Sequence, residues 1–201
     1  MTDSSVAAVS EIVTAIQRLD RGAAPVLVAL DGHSGAGKSR LAADVAAEVE
    51  GIVVDGDDFY AGAPASEWDV RTVADNAERC IDWRRLRGEA LEPLLAGRAA
   101  SWHPYDWERG GGLVPELTIV QPGSIIILDG VYSARPELAD LVTLSVLVEV
   151  PAAIRRARVA RRDGGIDGWY ERWAAAERHY LTEVRPPGSF DLVVANAEPL
   201  E

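Results

Sequence analysis

Gly32-His33-Ser34-Gly35-Ala36-Gly37-Lys38-Ser39 lies between a short apolar run and the start of a helical pattern. Its spacing fits G-x-x-x-x-G-K-(S/T), the turn by which a buried strand passes into a helix through a loop of inward-pointing backbone N–H groups. Three glycines permit the curl, and the helix expected to begin near Lys38 adds its positive dipole end, so the loop suits a chain of phosphates. On this basis Gly32, Ser34, Gly35, Ala36 and Gly37 wrap the phosphates, and Lys38 reaches the β and γ groups. Ser39 offers its hydroxyl to Mg2+, and Arg40 extends the nucleotide-binding set onto the helix.

Upstream, Val26-Leu27-Val28-Ala29-Leu30 is too short for a helix and reads as a buried strand. Before it, Val6, Val9, Val13, Ile16 and Leu19 recur at helical spacing, with Gly22 expected to end that helix. Downstream, further strands are expected at Gly51–Asp55, Ile125–Asp129, Leu144–Val150 and Asp191–Val194. Helical patterns separate most of them. Unbroken apolar strands alternating with helices predict an α/β three-layer sandwich around a mostly parallel five-stranded sheet, with ligands at the carboxyl ends of the strands. The stretch 101–123, rich in Gly, Pro and aromatics, reads as an inserted flap in which Leu117–Val120 forms an edge hairpin.

With 201 residues, 48% of them hydrophobic and 26% charged, the chain is sized and composed for one globular domain spanning 1–201. A formal net charge of −12 argues against nucleic acid and anionic membranes as partners, leaving a small-molecule substrate. Cys80 is the only cysteine, which rules out an intrachain disulfide and a cysteine metal cluster. No basic leader opens the chain and no apolar run approaches the roughly 18 residues of a membrane span, so a cytoplasmic location is expected. The sequence leaves room for a homo-oligomer.

Ile125–Asp129 supplies a hydrophobic strand ending in a carboxylate, which places Asp129 at the metal. Asp55-Gly56-Asp57-Asp58-Phe59-Tyr60 follows the second strand, where a carboxylate beside the γ-phosphate would accept the proton of an attacking hydroxyl or crowd the metal. Arg155, Arg158 and Arg162 share one helical face within a basic cluster. Over a bound nucleotide they form a lid, at about 155–168, that neutralises charge on the migrating phosphoryl group.

These elements resemble the uridine kinase and phosphoribulokinase group of P-loop kinases, which also includes bacterial pantothenate kinases. The resemblance implies ATP and Mg2+ as cofactors and transfer of the γ-phosphoryl group to a hydroxyl of a small metabolite. By that resemblance Asp57, in Asp57-Asp58-Phe59-Tyr60, is the catalytic base and a metal-site residue, and Tyr60 lies at the substrate. Cys80-Ile81-Asp82-Trp83 is similar to the segment whose Asp binds ribose hydroxyls, which points to Asp82. Pro104-Tyr105-Asp106-Trp107 looks like the flap motif, which points to Tyr105. Arg155–Asp163 resembles the basic lid, with Arg158 and Arg162 as catalytic candidates. Two departures stand out: Glu108-Arg109-Gly110-Gly111-Gly112 occupies the place of the pyrimidine-reading histidine, and Gly164-Gly165-Ile166-Asp167-Gly168 replaces the Arg-Gly-Arg continuation of the lid. Uridine or a related nucleoside is the first acceptor expected; a sugar, a glycerate-like acid and a pantothenate-like alcohol are the alternatives. A regulatory nucleotide switch is the rival of another class, although no Asn-Lys-x-Asp guanine-reading segment occurs.

Trp83, Trp102, Tyr105 and Trp107 are expected around the acceptor, Asp106 and Glu108 as surface charges, Trp169, Trp173 and Tyr180 as buried packing, and Cys80 as a small packing residue. No catalytic role falls to His33, His103 or His179.

Overall fold

The computed structural model describes residues 3–20, 22, 24–165 and 168–197. Five strands, β1 (Val26–Asp31), β2 (Ile52–Asp55), β5 (Ile125–Asp129), β6 (Leu144–Glu149) and β7 (Leu192–Ala195), form a sheet of order β2-β5-β1-β6-β7. Every neighbouring pair in it is parallel. All five expected strands are present. β3 (Ala100–Trp102) and β4 (Thr118–Val120) make a separate antiparallel pair, so the expected edge hairpin lies off the main sheet.

β1 shows why an unbroken apolar strand demands cover on both sides, since successive side chains face opposite ways. Leu27 and Ala29 enter one core with Ile126 and Leu128, whereas Val26, Val28 and Leu30 enter the other with Ile125 and Ile127. The second core is closed by helices α1 (Asp3–Gln17) and α2 (Lys38–Val49) through Ala8, Ile12, Ile16, Leu41 and Val45. The first core is closed by the short helices α3 (Ala65–Val70), α4 (Val73–Arg79) and α6 (Glu92–Leu95) and by the turn Leu86–Leu91, which follows α5 (Trp83–Arg85). It is also covered by α8 (Gly168–His179), which follows α7 (Ala152–Asp163).

Two expectations for the first helix are corrected. The helix stops at Gln17 rather than running to Gly22, its end held by Arg18 N–H to Thr14 and Leu19 N–H to Ile16. Val6 is 47% exposed, because the buried face runs through Ser5, Ala8, Val9, Ile12 and Ile16. No helix among the described residues is long and apolar enough to cross a membrane. Ile166 and Asp167, within the expected lid, lie outside the described residues.

Candidate active site

The expected phosphate loop joins β1 to α2 at the carboxyl end of the sheet. Its glycines are forced by contact as well as conformation. Gly32 has φ 142°, and a Cβ there would stand 2.5 Å from Val148 O; Gly35 has φ 78°, and a Cβ would meet Arg155 O at 2.6 Å. Lys38 is buried, its Nζ donating to the carbonyls of Gly32 (2.9 Å) and His33 (3.1 Å). The lysine thus bridges the start of the loop that its own helix closes.

The loop borders a cavity of about 250 Å³. Around it stand Gly35, Gly37, Lys38, Ser39 and Arg40 from the loop and α2, Asp57 and Tyr60 after β2, Asp129 after β5, Arg158 and Arg162 from α7, and Trp173 and Glu177 from α8. The fold therefore brings together the loop, Asp57 and Asp129 of the aspartates singled out, and Arg158 and Arg162 of the expected lid. Arg155 points elsewhere, its Nε donating to Val150 O at 3.0 Å. Arg158 donates to Gly35 O at 3.2 Å, and Arg162 pairs with Asp163.

Asp57 and Asp58 are adjacent in the chain and differ in surroundings. The Asp58 carboxylate accepts the Trp102 indole N–H at 2.7 Å, and its backbone carbonyl accepts from Tyr105 N. That aspartate fastens the hairpin to the sheet. Asp57 faces the cavity: its carboxyl is reached by water from the cleft while protein surrounds it on the other sides. Its pKa is pushed up to about 6, first by desolvation and then by the neighbouring charges of Asp55 and Asp129, against the pull of Lys38 and Arg162.

Asp129 is buried beside Ser39, whose hydroxyl it hydrogen-bonds, while its Oδ1 has no partner among the described residues. A buried carboxylate oxygen without a donor calls for a cation. Among the described residues no group of three or more His, Cys, Asp or Glu side chains is set to hold a metal by itself. That suits Mg2+, which takes one or two protein oxygens and fills its octahedron with water and substrate phosphate. Ser39 and Asp129 fit such an ion.

Several groups at the site have no motif to announce them. Asp31 ends β1 fully buried, and its two oxygens take four donors: Gly32 N (2.7 Å), Tyr132 N (3.0 Å), Ala134 N (2.9 Å) and Tyr180 Oη (2.8 Å). Burial raises its pKa, and the donors with Lys38 oppose that rise. Asn196, after β7, donates to Ala36 O at 2.9 Å. Glu177 accepts from the Ser34 N–H at 3.0 Å and from the Ser34 hydroxyl, and lies 3.3 Å from His33 Nδ1. The run of hydrophobic residues at strand ends hints at Asp31, but nothing in the sequence ties Glu177 to a loop more than 140 positions away.

The expected acceptor residues divide. Tyr60 lies on the cavity and on a neighbouring cleft that holds Asp82, Arg85 and Tyr105. Tyr60 and Tyr105 meet edge to face at 4.7 Å. Asp82 also caps α5, accepting from Arg85 N at 3.1 Å. Trp107 stacks on Tyr60 at 4.9 Å and lines both the cavity and the outer cleft toward α8. Trp83 instead packs with Arg84 and Arg135, and Trp102 is buried, so neither lines these cavities. Asp106 is 6% exposed rather than a surface charge, because it closes the turn that carries Trp107, accepting from Arg109 N. Trp169 and Trp173 line the outer cleft as well as packing, while Tyr180 is buried as expected. Cys80 is buried, and burial pushes its thiol pKa up.

No family model matches the sequence, and no curated protein resembles it significantly. Solved structures do. A protein from Bacillus stearothermophilus described as a possible uridine kinase superposes with a TM-score of 0.72 at 18% identity, covering 94% of this chain and 98% of the other. A Silicibacter protein described provisionally as a fructose transport system kinase gives a TM-score of 0.70 at 23% identity, over 92% of this chain and 98% of that one. D-glycerate 3-kinase from Cryptococcus neoformans gives 0.56 at 12% identity, over 95% of this chain and 92% of that one. The chain has the fold of the uridine kinase-like P-loop proteins.

Proposed function

We propose that this chain is a magnesium-dependent kinase of the uridine kinase and phosphoribulokinase type, passing the γ-phosphoryl group of ATP to a hydroxyl of a small metabolite. The observation that carries the proposal is the placing of Asp57. A carboxylate with pKa about 6 shares one cavity with the Lys38 loop, while the adjacent Asp58 is committed to Trp102. A base ionised at neutral pH yet more basic than an ordinary carboxylate suits proton transfer from an alcohol.

In this reading the loop amides and Lys38 hold the triphosphate. Asp57 accepts the acceptor's hydroxyl proton as that oxygen bonds to the γ-phosphorus, and the bond from phosphorus to the β–γ bridging oxygen breaks, releasing ADP. Arg158 and Arg162, on α7, offset the charge on the phosphoryl oxygens, and the helix acts as the lid. Ser39 and Asp129 would hold Mg2+, which would supply positive charge to offset that of the phosphate oxygens during transfer. The 101–123 flap closes the acceptor side through Tyr105 and Trp107, with Tyr60 and Asp82 as further acceptor contacts.

The acceptor of this reading is a neutral or cationic ring compound, of which a nucleoside is the first to test. The outer cleft has Trp107, Trp169 and Trp173 for flat faces and Asp55, Asp57 and Asp163 against Arg162, which is itself paired with Asp163. A carboxylate or phosphate on the acceptor would meet net negative charge there. The uridine-like, fructose-related and glycerate activities by which the structural neighbours are described define the panel. ADP release measured with and without each acceptor tests the proposal. Acceptor-dependent release that vanishes in Lys38→Ala and Asp57→Asn supports it, and slow hydrolysis indifferent to every acceptor would instead favour a nucleotide switch.

A further inference from the structure

One face of α8 serves both halves of the cleft. Trp169, Trp173 and Glu177 are spaced by four residues, which stacks them along a single helix face. The two indoles line the outer cleft, and Trp173 tilts against Tyr60 at 5.5 Å. One turn further on, Glu177 is 2% exposed and both its oxygens are directed at the phosphate loop. Three residues later Tyr180 donates to Asp31, the group that takes the N–H of Gly32. The loop is therefore tied to α8 and the turn after it at two points, Ser34 and the Asp31–Gly32 junction.

A buried carboxylate is costly unless donors satisfy it, and breaking such a set costs more than its net worth. Glu177 meets that condition only because His33 and Ser34 supply its donors. The contact also redirects Ser34, whose N–H the loop motif would otherwise turn toward phosphate. With Ser34 fixed and the Ala36 N–H donating to His33 O at 3.1 Å, the turn of the loop is held by the protein's own contacts, and a ligand has less of it to order on binding.

We propose that Glu177 is the positioning residue of the phosphate loop: it holds the loop in its phosphate-receiving shape through Ser34, which acts as an anchor rather than as a phosphate ligand. This rests on the nucleotide-binding reading above. The test is calorimetric titration of the whole chain with the Mg2+ complex of the non-hydrolysable analogue AMP-PNP, using wild type, Glu177→Gln, Ser34→Ala and the double variant. Each single variant should bind roughly tenfold more weakly, the loss expected for a hydrogen bond to a charged group. The double variant should bind no worse than the weaker single, because both changes break one contact. The loss should also appear with Mg-ADP and be small with AMP, which separates a role in holding the β and γ phosphates from general loosening of the fold. Single variants that bind as wild type, losses that multiply, or equal losses with AMP would overturn the proposal. Should Glu177→Gln fail to fold, Glu177→Asp with Ser34→Ala completes the same cycle. A wild-type protein that binds no magnesium nucleotide at all would end the nucleotide reading itself, a result distinct from tight wild-type binding that the variants share.

Discussion

Asp57 and Asp58 share a sequence environment and divide their labour through one hydrogen bond. The chain as written offers both as bases; only the indole of Trp102, 2.7 Å from Asp58, removes one of them from the cavity. The acid limb of kcat/KM should therefore follow Asp57. With its pKa about 6, activity should rise with pH through that value and level off above it, since the base must be ionised. Asp57→Asn should lower kcat by 10² to 10⁴-fold and leave the calorimetric affinity for Mg-ATP close to wild type. Asp58→Asn should instead lower the melting temperature by loosening the hairpin. The same shift has a stability consequence of defined sign. A folded pKa of about 6 against an ordinary 3.8 means the folded chain holds the extra proton between those values, so the contribution is complete at low pH and is lost as pH rises through about 6. Asp57→Asn should then melt higher than wild type at pH 8 and show no such gain at pH 4, a comparison that thermal scans at the two pH values would check.

At the scale of elements, the strands were legible because a parallel sheet buried on both faces needs unbroken apolar runs, and five such runs occur. The phosphate loop was legible because its glycines are required by contacts of 2.5 and 2.6 Å with Val148 and Arg155. Less could be read where tertiary contact overrides pattern. Helix α1 keeps its period but turns Val6 outward, the π-helical turns at Leu86–Leu91 and Tyr180–Val184 have no sequence signature, and α8 was expected only to pack. Gly35→Ala tests the junction of loop and α7. The left-handed backbone alone costs roughly 1–2 kcal/mol in a non-glycine residue, and the new Cβ would press on Arg155 O. A fall in melting temperature of about 4 °C or more, with loss of Mg-ATP binding by calorimetry, is the expected outcome. On α7 itself, Arg162→Ala should reduce kcat about 10² to 10³-fold with little change in the affinity for Mg-ATP, as for other donors aimed at transition-state charge. Arg155→Ala, whose guanidinium is turned to Val150, should leave kcat nearly intact when assayed in parallel.

For the molecule as a whole, charge is unevenly used. A net charge of −12 sits on a chain whose cavity beside the glycine loop nonetheless gathers Lys38, Arg40, Arg158 and Arg162. In the proposed reading the triphosphate occupies that cavity, which Asp57 and Arg162 share with the outer cleft, where Asp55 and Asp163 also stand among indoles. Arg85, the cation in the neighbouring cleft, is held by Glu89 at 3.0 Å and by the His103 carbonyl at 2.9 Å. An acceptor carrying its own carboxylate or phosphate would thus enter against like charge and find its arginines engaged, whereas a neutral or cationic ring would gain stacking and, for a cation, attraction to the aromatic faces. In a panel matched for hydroxyl chemistry, ring-bearing neutral or cationic alcohols should exceed anionic ones in kcat/KM by at least about tenfold, a difference of roughly 1.4 kcal/mol in transition-state binding. The preference should shrink as salt is raised from about 0.05 to about 0.5 M because the outer cleft is open to solvent and screening shortens the reach of its aspartates from about 14 Å to about 4 Å. Trp173→Ala should raise the KM of the ring acceptor and leave the KM for ATP unchanged. Equal kcat/KM for glycerate-like and nucleoside-like acceptors at low salt would show that the charge of the outer cleft does not choose the substrate.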